Sequence, residues 1–330
     1  MPWTSLHAKI HRTIRDRHLI TQNQRLLVAV SGGQDSLCLI RLLLDLQSKW
    51  GWYISIAHCD HCWRADSAAN AHHVENLAQS WQVPFHLATA TEAINTEAAA
   101  RNWRYQVLTE IAQASEYQYI VTGHTQSDRA ETLLYNLMRG SGADGLQALA
   151  WQRPLTANIF LIRPLLAITR RETAQFCQDY QLPIWEDSTN QDTKYARNRI
   201  RQELLPYLRE NFNPNLESAL GQTAELLQAD VEYLESIATE LREKCFSAPT
   251  PDYIRINRRI LQTVPLALQR RVMRQILLEV INIAPNFEHI EKLTGLIIAP
   301  NRTQTDPFPG GAIAQVMGDE ILFLRNLSPK

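Results

Sequence analysis

Between residues 26 and 137 the chain alternates short apolar runs of strand length with longer stretches of helical period. Nothing else in the sequence limits its fold so strongly. Leu26–Val30 (LLVAV) is a five-residue aliphatic run, and after a turn Leu37, Ile40, Leu43 and Leu44 recur at helical spacing. Tyr53–Ala57 (YISIA), Val83–Leu87 (VPFHL) and Tyr119–Gly123 (YIVTG) read as further strands. Helical stretches fill about 67–81 and 97–115, and another runs from Asp128 to Leu137. Strands alternating with helices build a parallel sheet with right-handed crossovers and helices on both faces. The expected class is therefore α/β. Ligands of such sheets lie beyond the carboxyl ends of the strands. Two polar stretches, SGGQDS at 31–36 and TGHTQSD at 122–128, fall at such ends.

At 330 residues there is room for a second domain. The pattern changes at the turn-rich NFNPNLES (211–218), which sets expected domains of 1–215 and 216–330. In the second, Leu216, Leu220, Leu227, Val231, Leu234 and Leu241 stripe one face of a long helix ending near Lys244. SAPTPD (247–252) reads as a linker, followed by helices over about 258–281 and 287–298 and a small hairpin turning at Gly318-Asp319. By pattern alone this part is a helical appendage with a terminal β-hairpin.

Composition narrows the setting. The longest apolar runs are strand-sized, far short of the roughly 20 residues of a membrane span, so no membrane association is expected. The N-terminus carries scattered His and Arg without the apolar core of a secretory signal. Five irregularly spaced cysteines argue for a reducing, cytoplasmic setting. The net charge of −1 excludes a chain that binds polyanions over its whole surface. Any nucleic-acid contact must come from local basic clusters.

In SGGQDS, Gly32 and Gly33 allow a sharp turn and a close approach of backbone N–H groups to an anion. The start of the next helix adds donors and a favourable dipole. Ser31 and Ser36 can donate to phosphate oxygens, with Gln34 between them in the loop. Asp35 would repel a phosphate, so its expected role is through Mg²⁺, which takes carboxylate and phosphate oxygens together. The loop lacks the Gly-Lys-Ser/Thr of a Walker-type site. The competing reading is a Gly-Gly turn with a Ser or Asp helix cap.

AVSGGQDS resembles the SGGxDS signature of the N-type ATP pyrophosphatases, the PP-loop family. Further blocks follow in one order: HCDHCWR (58–64), EAAARNWRY (97–105), TGHTQSDRAET (122–132), RGSGADGL (139–146), RPLL (163–166) and EDSTNQDTKYARNRIR (186–201). Together they are similar to the tRNA(Ile)-lysidine synthetases over about residues 20–215, and the remainder resembles that family's smaller helical, tRNA-binding domain. The resemblance implies an ATP-dependent ligase. Its reaction joins L-lysine to the 2-position of cytidine at the first anticodon position (position 34) of the CAU-anticodon tRNA(Ile). An adenylated cytidine is the intermediate, and lysidine, AMP and diphosphate are the products. Codon and amino-acid specificity change from methionine to isoleucine.

The resemblance also implies residue roles. ATP is expected on Ser31, Gly32, Gly33, Gln34, Asp35 and Ser36, with Mg²⁺ on Asp35 and Asp128. Asp35, Asp128, His124 and Asp60 are the expected catalytic groups, and Asp60, His61 and His124 the candidates for accepting the amine's proton. His61, Arg64, Arg101, Arg104, Glu131, Arg197, Asn198 and Arg201 are the expected substrate or tRNA contacts. At 125 and 127 this chain has Thr and Ser where the family more often has His and Asp. Acid at the start of that helix is also what the helix dipole favours. Arg101 and Arg104, one turn apart, also fit a solvated basic face. Arg258, Arg259, Arg270, Arg271 and Arg274 form a second basic area suited to RNA.

Cys59 and Cys62, with His58 and His61, crowd one strand end. No second ligand pair follows, and residues leaving a strand alternate in direction, which opposes a zinc site. The pair does keep open a PP-loop tRNA 2-thiolation enzyme. A non-catalytic ATP-binding RNA module is the more distant alternative. Cys38, Cys177 and Cys245 are expected in the core. The oligomeric state stays open, with a homodimer among the options.

Overall fold

β1 (Arg25–Ala29) shows why the sheet is buried on both sides. Leu26 and Val28 enter one apolar cluster and Leu27, between them, enters another, all without exposed surface. That is the two-residue period of a strand, met by helices on each face. The computed structural model describes residues 3–63, 65–92, 94, 96–186, 194, 196–246, 253–281 and 283–324.

Around β1 stand β2 (Tyr53–Asp60), β3 (Phe85–Thr89), β4 (Tyr119–Thr122), β5 (Gln152–Pro154) and β6 (Phe160–Ile162). They lie in the order β3–β2–β1–β4–β6–β5. β1 pairs in parallel with β2 and β4, β2 with β3, and β4 with β6; β5 closes one edge antiparallel to β6. α1 (Ser5–Asp16), α2 (Gln34–Trp50), α3 (Ser67–Ser80) and α7 (Arg170–Asp179) cover one face through Ile10, Leu37, Val74 and Phe176. α4 (Glu97–Ala114) covers the other through Leu108 and Ala112. After β3, at one edge, the chain returns across the sheet to place β4 beside β1. The strand order therefore reverses between β1 and β4, which opens a crevice at their carboxyl ends. α5 (Gln126–Met138) leaves β4 there, as α2 leaves β1.

The expected α/β sheet is present, and β2 runs on to Asp60 so that HCD belongs to the strand. α1, α7 and the three-residue strands β5 and β6 are additions. α6 (Ala143–Leu146) is a single turn. Beyond it α8 (Ala196–Arg199), a π-helical turn over Ile200–Leu204 and α9 (Leu205–Asn211) lead to α10, a 30-residue helix over Leu216–Cys245. Cys38, Cys177 and Cys245 are buried, as expected.

The chain forms two compact units, Met1–Gln228 and Ala229–Lys330. The expected boundary at 215/216 falls at the start of α10, whereas the units divide inside it. The first turns of α10 stay with the first unit because Glu217 accepts from Ser127 at 2.6 Å and Glu225 from Arg129 at 2.8 Å.

The second unit contains β7 (Tyr253–Asn257), α11 (Arg258–Gln262), α12 (Leu266–Val280), α13 (Phe287–Gly295), β8 (Ile313–Met317) and β9 (Glu320–Leu324). The hairpin at Gly318-Asp319 is present, and β7 adds a third antiparallel strand on β9. Pro265 divides the single expected helix at 258–281 into two, because it precedes α12 as its cap. Ile254, Ile256, Val272, Ile276, Ile321 and Phe323 form this unit's own core. Among the described residues no helix is long and apolar enough to cross a membrane.

Candidate functional site

The turn between β1 and α2 is built around Gly32. Its φ is +85°, and a Cβ there would lie 2.5 Å from Asn70 Oδ1 and 3.3 Å from Trp185 Cβ. Asn70 Nδ2 donates to the Ser31 carbonyl at 3.0 Å, and the Trp185 N–H to the Gly32 carbonyl at 2.9 Å, so the loop is held from outside. Gly33 begins α2 with no side-chain cap, which leaves the helix's leading N–H groups without that internal acceptor, the arrangement that suits an anion site. Ser36 Oγ donates to the Gly33 carbonyl at 2.9 Å and lies 3.2 Å from Ser31 Oγ. The competing cap reading therefore does not describe this loop.

Across the crevice, Gly123 lets the β4–α5 turn pass close to α2: a Cβ at 123 would meet the Asp35 carbonyl at 3.0 Å. Thr125 caps α5 and forms a reciprocal capping box with Asp128, whose Oδ2 accepts from the Thr125 N–H and Oγ1, each at 2.7 Å. Ser127 Oγ donates to Glu217. Both departures from the family pattern thus have structural roles.

A cavity of about 620 Å³ lies between these turns, the size of a small-molecule site. Its lining includes Ser31, Gly33, Gln34, Asp35, Ser36, Asp60, His61, Arg104, His124, Asp128 and Arg201 among the expected residues. Three further lining features stand out. His61 Nδ1, Asn70 Oδ1 and Trp185 Nε1 are buried polar atoms with no hydrogen-bond partner among the described residues. Such atoms are costly unless a ligand or water meets them.

Gln34, at the cavity wall, also straps the loop to α7: its Nε2 donates to the Arg170 carbonyl and to Thr173 Oγ1, both at 2.7 Å. Not every expected residue faces the cavity. Glu131, expected as a substrate contact, is 3% exposed and lies inside an ion-pair network. Arg101 packs over the Tyr105 ring at 5.1 Å, and Arg197 pairs with Glu97 at 2.6 Å. Asn198 lies on α8, outside the cavity's described lining. Arg64 lies outside the described residues. In the second unit the basic area is internally matched. Arg259 pairs with Asp319, Arg270 with Glu291, and Arg271 and Arg274 with Glu235. Arg258 donates to the Gly318 and Ala299 carbonyls.

Sequence reasoning missed Arg170, which contacts Asp35, Asp128 and Glu131, and Thr173, which donates to Asp35 at 2.5 Å. The available signal was Thr169-x-x-Glu172, a capping box that places both residues on the first turn of a helix.

The electrostatics follow from burial. Asp35 is held above the usual carboxylate range by burial, with Arg170 opposing and Asp128 adding to the rise. For Asp128 burial pushes the same way, but Arg170, His124 and the Thr125 bonds outweigh it and its carboxyl falls below that range. His61 is lowered to about 4 by burial and then by Arg104, whose Nη2 lies 3.0 Å from His61 Nε2. His124 is lowered to about 3 by burial and Arg163. Both imidazoles are neutral at neutral pH. The Cys59 thiol is pushed up to about 11 by burial, against Arg104, and Cys62 is raised as well. Neither is a ready thiolate.

Asp35 and Asp128 suit Mg²⁺. They are hard donors facing one cavity, and Mg²⁺ commonly takes one or two carboxylates with phosphate oxygens and water. Among the described residues no group of three or more acidic, His or Cys side chains forms a ready cage.

Residues 3–208 match the family model described as a PP-loop domain. The chain is 71% identical to the tRNA(Ile)-lysidine synthase of Nostoc sp., covering 99% of this chain and 98% of that protein. It is 51% identical to the tRNA(Ile)-lysidine synthase of Synechocystis sp., covering 98% and 99%. Among solved structures it resembles the U34-tRNA thiolase of Methanococcus maripaludis with its 4Fe–4S cluster. That likeness has a TM-score of 0.58 at 14% identity, over 68% of this chain and 78% of that one, and concerns the fold alone.

Proposed function

The chain belongs to the tRNA(Ile)-lysidine synthases, and from that premise we propose how its cavity performs their reaction. The activity is that of an ATP-dependent ligase that forms a carbon–nitrogen bond on a tRNA. The thiolation and binding-module alternatives fall with the family assignment.

ATP binds with its phosphates on the Gly32–Gly33 turn. Backbone N–H groups at the start of α2 and the Ser31 and Ser36 hydroxyls donate to their oxygens. Asp35 and Asp128 would hold Mg²⁺, which would supply charge neutralisation to the phosphates. The 2-carbonyl oxygen of the cytidine at the first anticodon position attacks the α-phosphorus, and the bond to pyrophosphate breaks. A carbonyl oxygen is thereby turned into the good leaving group AMP. The side-chain amine of L-lysine then bonds to C2, the C2–O bond breaks, AMP departs and the amine gives up a proton.

The lowered histidines bear on that proton. With His61 near 4 and His124 near 3, imidazole is a weak acceptor at neutral pH. Their service is to present uncharged hydrogen-bonding nitrogens beside the substrates. Arg104, at the cavity wall, supplies positive charge to anionic groups there.

One observation carries this reading: an uncapped helix start and two carboxylates converge on one cavity where the strand order reverses. The test is incubation with ATP, Mg²⁺, labelled L-lysine and a panel of tRNA transcripts. Label should enter the CAU-anticodon tRNA(Ile) with release of AMP and pyrophosphate. Absence of label from every transcript would overturn the reading.

A further inference from the structure

The mechanism above leaves Arg170 without a task, although its side chain, at the cavity wall, bonds three carboxylates. Its guanidinium gives each nitrogen to a different carboxylate: Nε to Asp35 at 3.1 Å, Nη2 to Asp128 at 2.6 Å and Nη1 to Glu131 at 2.7 Å. A guanidinium commonly meets one carboxylate with two parallel bonds. Here the fork is shared among acids from two helices, α2 and α5.

The backbone of Arg170 is pinned from both of those helices. Its N–H donates to Ser127 Oγ at 3.2 Å, and its carbonyl accepts from Gln34 Nε2 at 2.7 Å. Thr173 lies one turn further along the same face of α7. Fully buried, it donates to the second Asp35 oxygen at 2.5 Å. Arg201, on the π-helical turn, meets Glu131 with both arms at 2.8 and 3.0 Å. Three carboxylates thus face two guanidiniums, and Arg170 is the one that touches all three.

We propose that Arg170 is a positioning residue for adenylation: a built-in counter-charge that gathers Asp35 and Asp128 at the cavity wall and ties them to the buried Glu131 behind it. It holds this arrangement before nucleotide arrives and competes there with free divalent cations. The proposal rests on the ATP-dependent reading of this site. Taking away the guanidinium leaves Asp35 with no ion-pair partner among the described residues and Asp128 with only Arg201, at 3.9 Å. A bare dication then binds more tightly, while the acids lose their common point of attachment.

The experiment measures Mn²⁺ binding to nucleotide-free protein by electron paramagnetic resonance, for wild type, Arg170→Met and Arg170→Lys, with thermal melting alongside. Methionine keeps bulk without charge. Losing a contacting opposite charge changes a carboxylate's cation affinity by about tenfold or more. Arg170→Met is therefore expected to bind Mn²⁺ at least that much more tightly than wild type. Arg170→Lys, a single point charge that cannot fork, is expected to fall between the two, and it carries the test if the methionine variant does not fold. An arginine of merely structural value would lower the melting temperature and leave Mn²⁺ affinity unchanged. That result in a folded variant would overturn the proposal. Pyrophosphate release by wild type is measured separately. Its failure would count against the reaction, and the Mn²⁺ comparison would still stand.

Discussion

Replacing Gly32 by alanine isolates how far nucleotide binding depends on one backbone conformation. At φ +85° an L-residue meets its own carbonyl, at a cost of roughly 1–2 kcal/mol. The new methyl would lie 2.5 Å from Asn70 Oδ1, so that side chain must move and weaken its 3.0 Å bond to the Ser31 carbonyl. One such bond contributes about 1 kcal/mol. Alanine also restricts the unfolded chain, which returns roughly 0.5 kcal/mol. The net destabilisation is then about 2 kcal/mol, and if the loop absorbs it locally, ATP affinity drops about thirtyfold. Gly33→Ala is the control. Its Cβ would meet nothing nearer than Ser31 Oγ at 3.5 Å, and its φ is −76°. Its effect on stability should stay within about 0.5 kcal/mol, since the cap and unfolded-chain effects oppose each other. Urea unfolding reports the fold, and the KM for ATP in pyrophosphate release reports the loop. The reasoning fails if Gly32→Ala matches wild type in both, or if Gly33→Ala unfolds as readily as Gly32→Ala.

Asp35→Asn should lower pyrophosphate release by about a hundredfold or more, since metal-assisted charge stabilisation is worth several kcal/mol. Because the folded state raises this carboxyl, its charged form costs stability above that range, so the variant should melt no lower than wild type. A lower melting temperature with retained turnover would contradict both halves. Glu225→Ala leaves Arg129, 2% exposed and paired at 2.8 Å, without that carboxylate and with the neutral Gln228 oxygen at 3.3 Å, and should cost about 3 kcal/mol in urea unfolding. A loss under 1 kcal/mol would show the pair to be dispensable. Burial alone would raise Glu225, but bonds from Arg129, Trp151 and Arg17 bring it below its ordinary 4.5. Its contribution is therefore present above about that pH and is lost as pH falls through the lowered value, a fall that Glu225→Gln should lack. Cys62→Ser, at an exposed thiol, should leave lysine-dependent pyrophosphate release within about twofold of wild type, because the thiol is raised and not a ready nucleophile. Loss of turnover, or iron in the purified protein, would revive sulfur chemistry.

The sheet could be read because its central strands are buried on both faces, so Leu26–Val28 and Ile120–Val121 stand out as apolar stretches and Ile54–Ala57 as one broken only by the small Ser55. β5 could not: Gln152, Arg153 and Pro154 are all exposed at a sheet edge, and three residues hold no period. β7 was readable in principle, since YIRIN buries Ile254 and Ile256 and exposes Arg255 and Asn257. The glycines and Asp35 announced themselves through a compact motif. Arg170 did not, because its meaning depends on acids 135, 42 and 39 residues away in the chain. How the basic residues at 258–274 are paired was hidden for a related reason. Composition counts a charge, whereas the fold decides whether Glu235 or Glu291 already answers it.

The reversal of strand order between β1 and β4 has a consequence for inheritance. In the proposed reaction the nucleotide's phosphates rest on one loop, after β1, while other parts of the cavity wall come from the ends of β2 and β4 and from α7. These segments are separate cassettes along the gene, and the sheet beneath them does not require any particular sequence in their loops. A lineage can therefore rewrite what is joined to the activated base without relearning how to hold ATP.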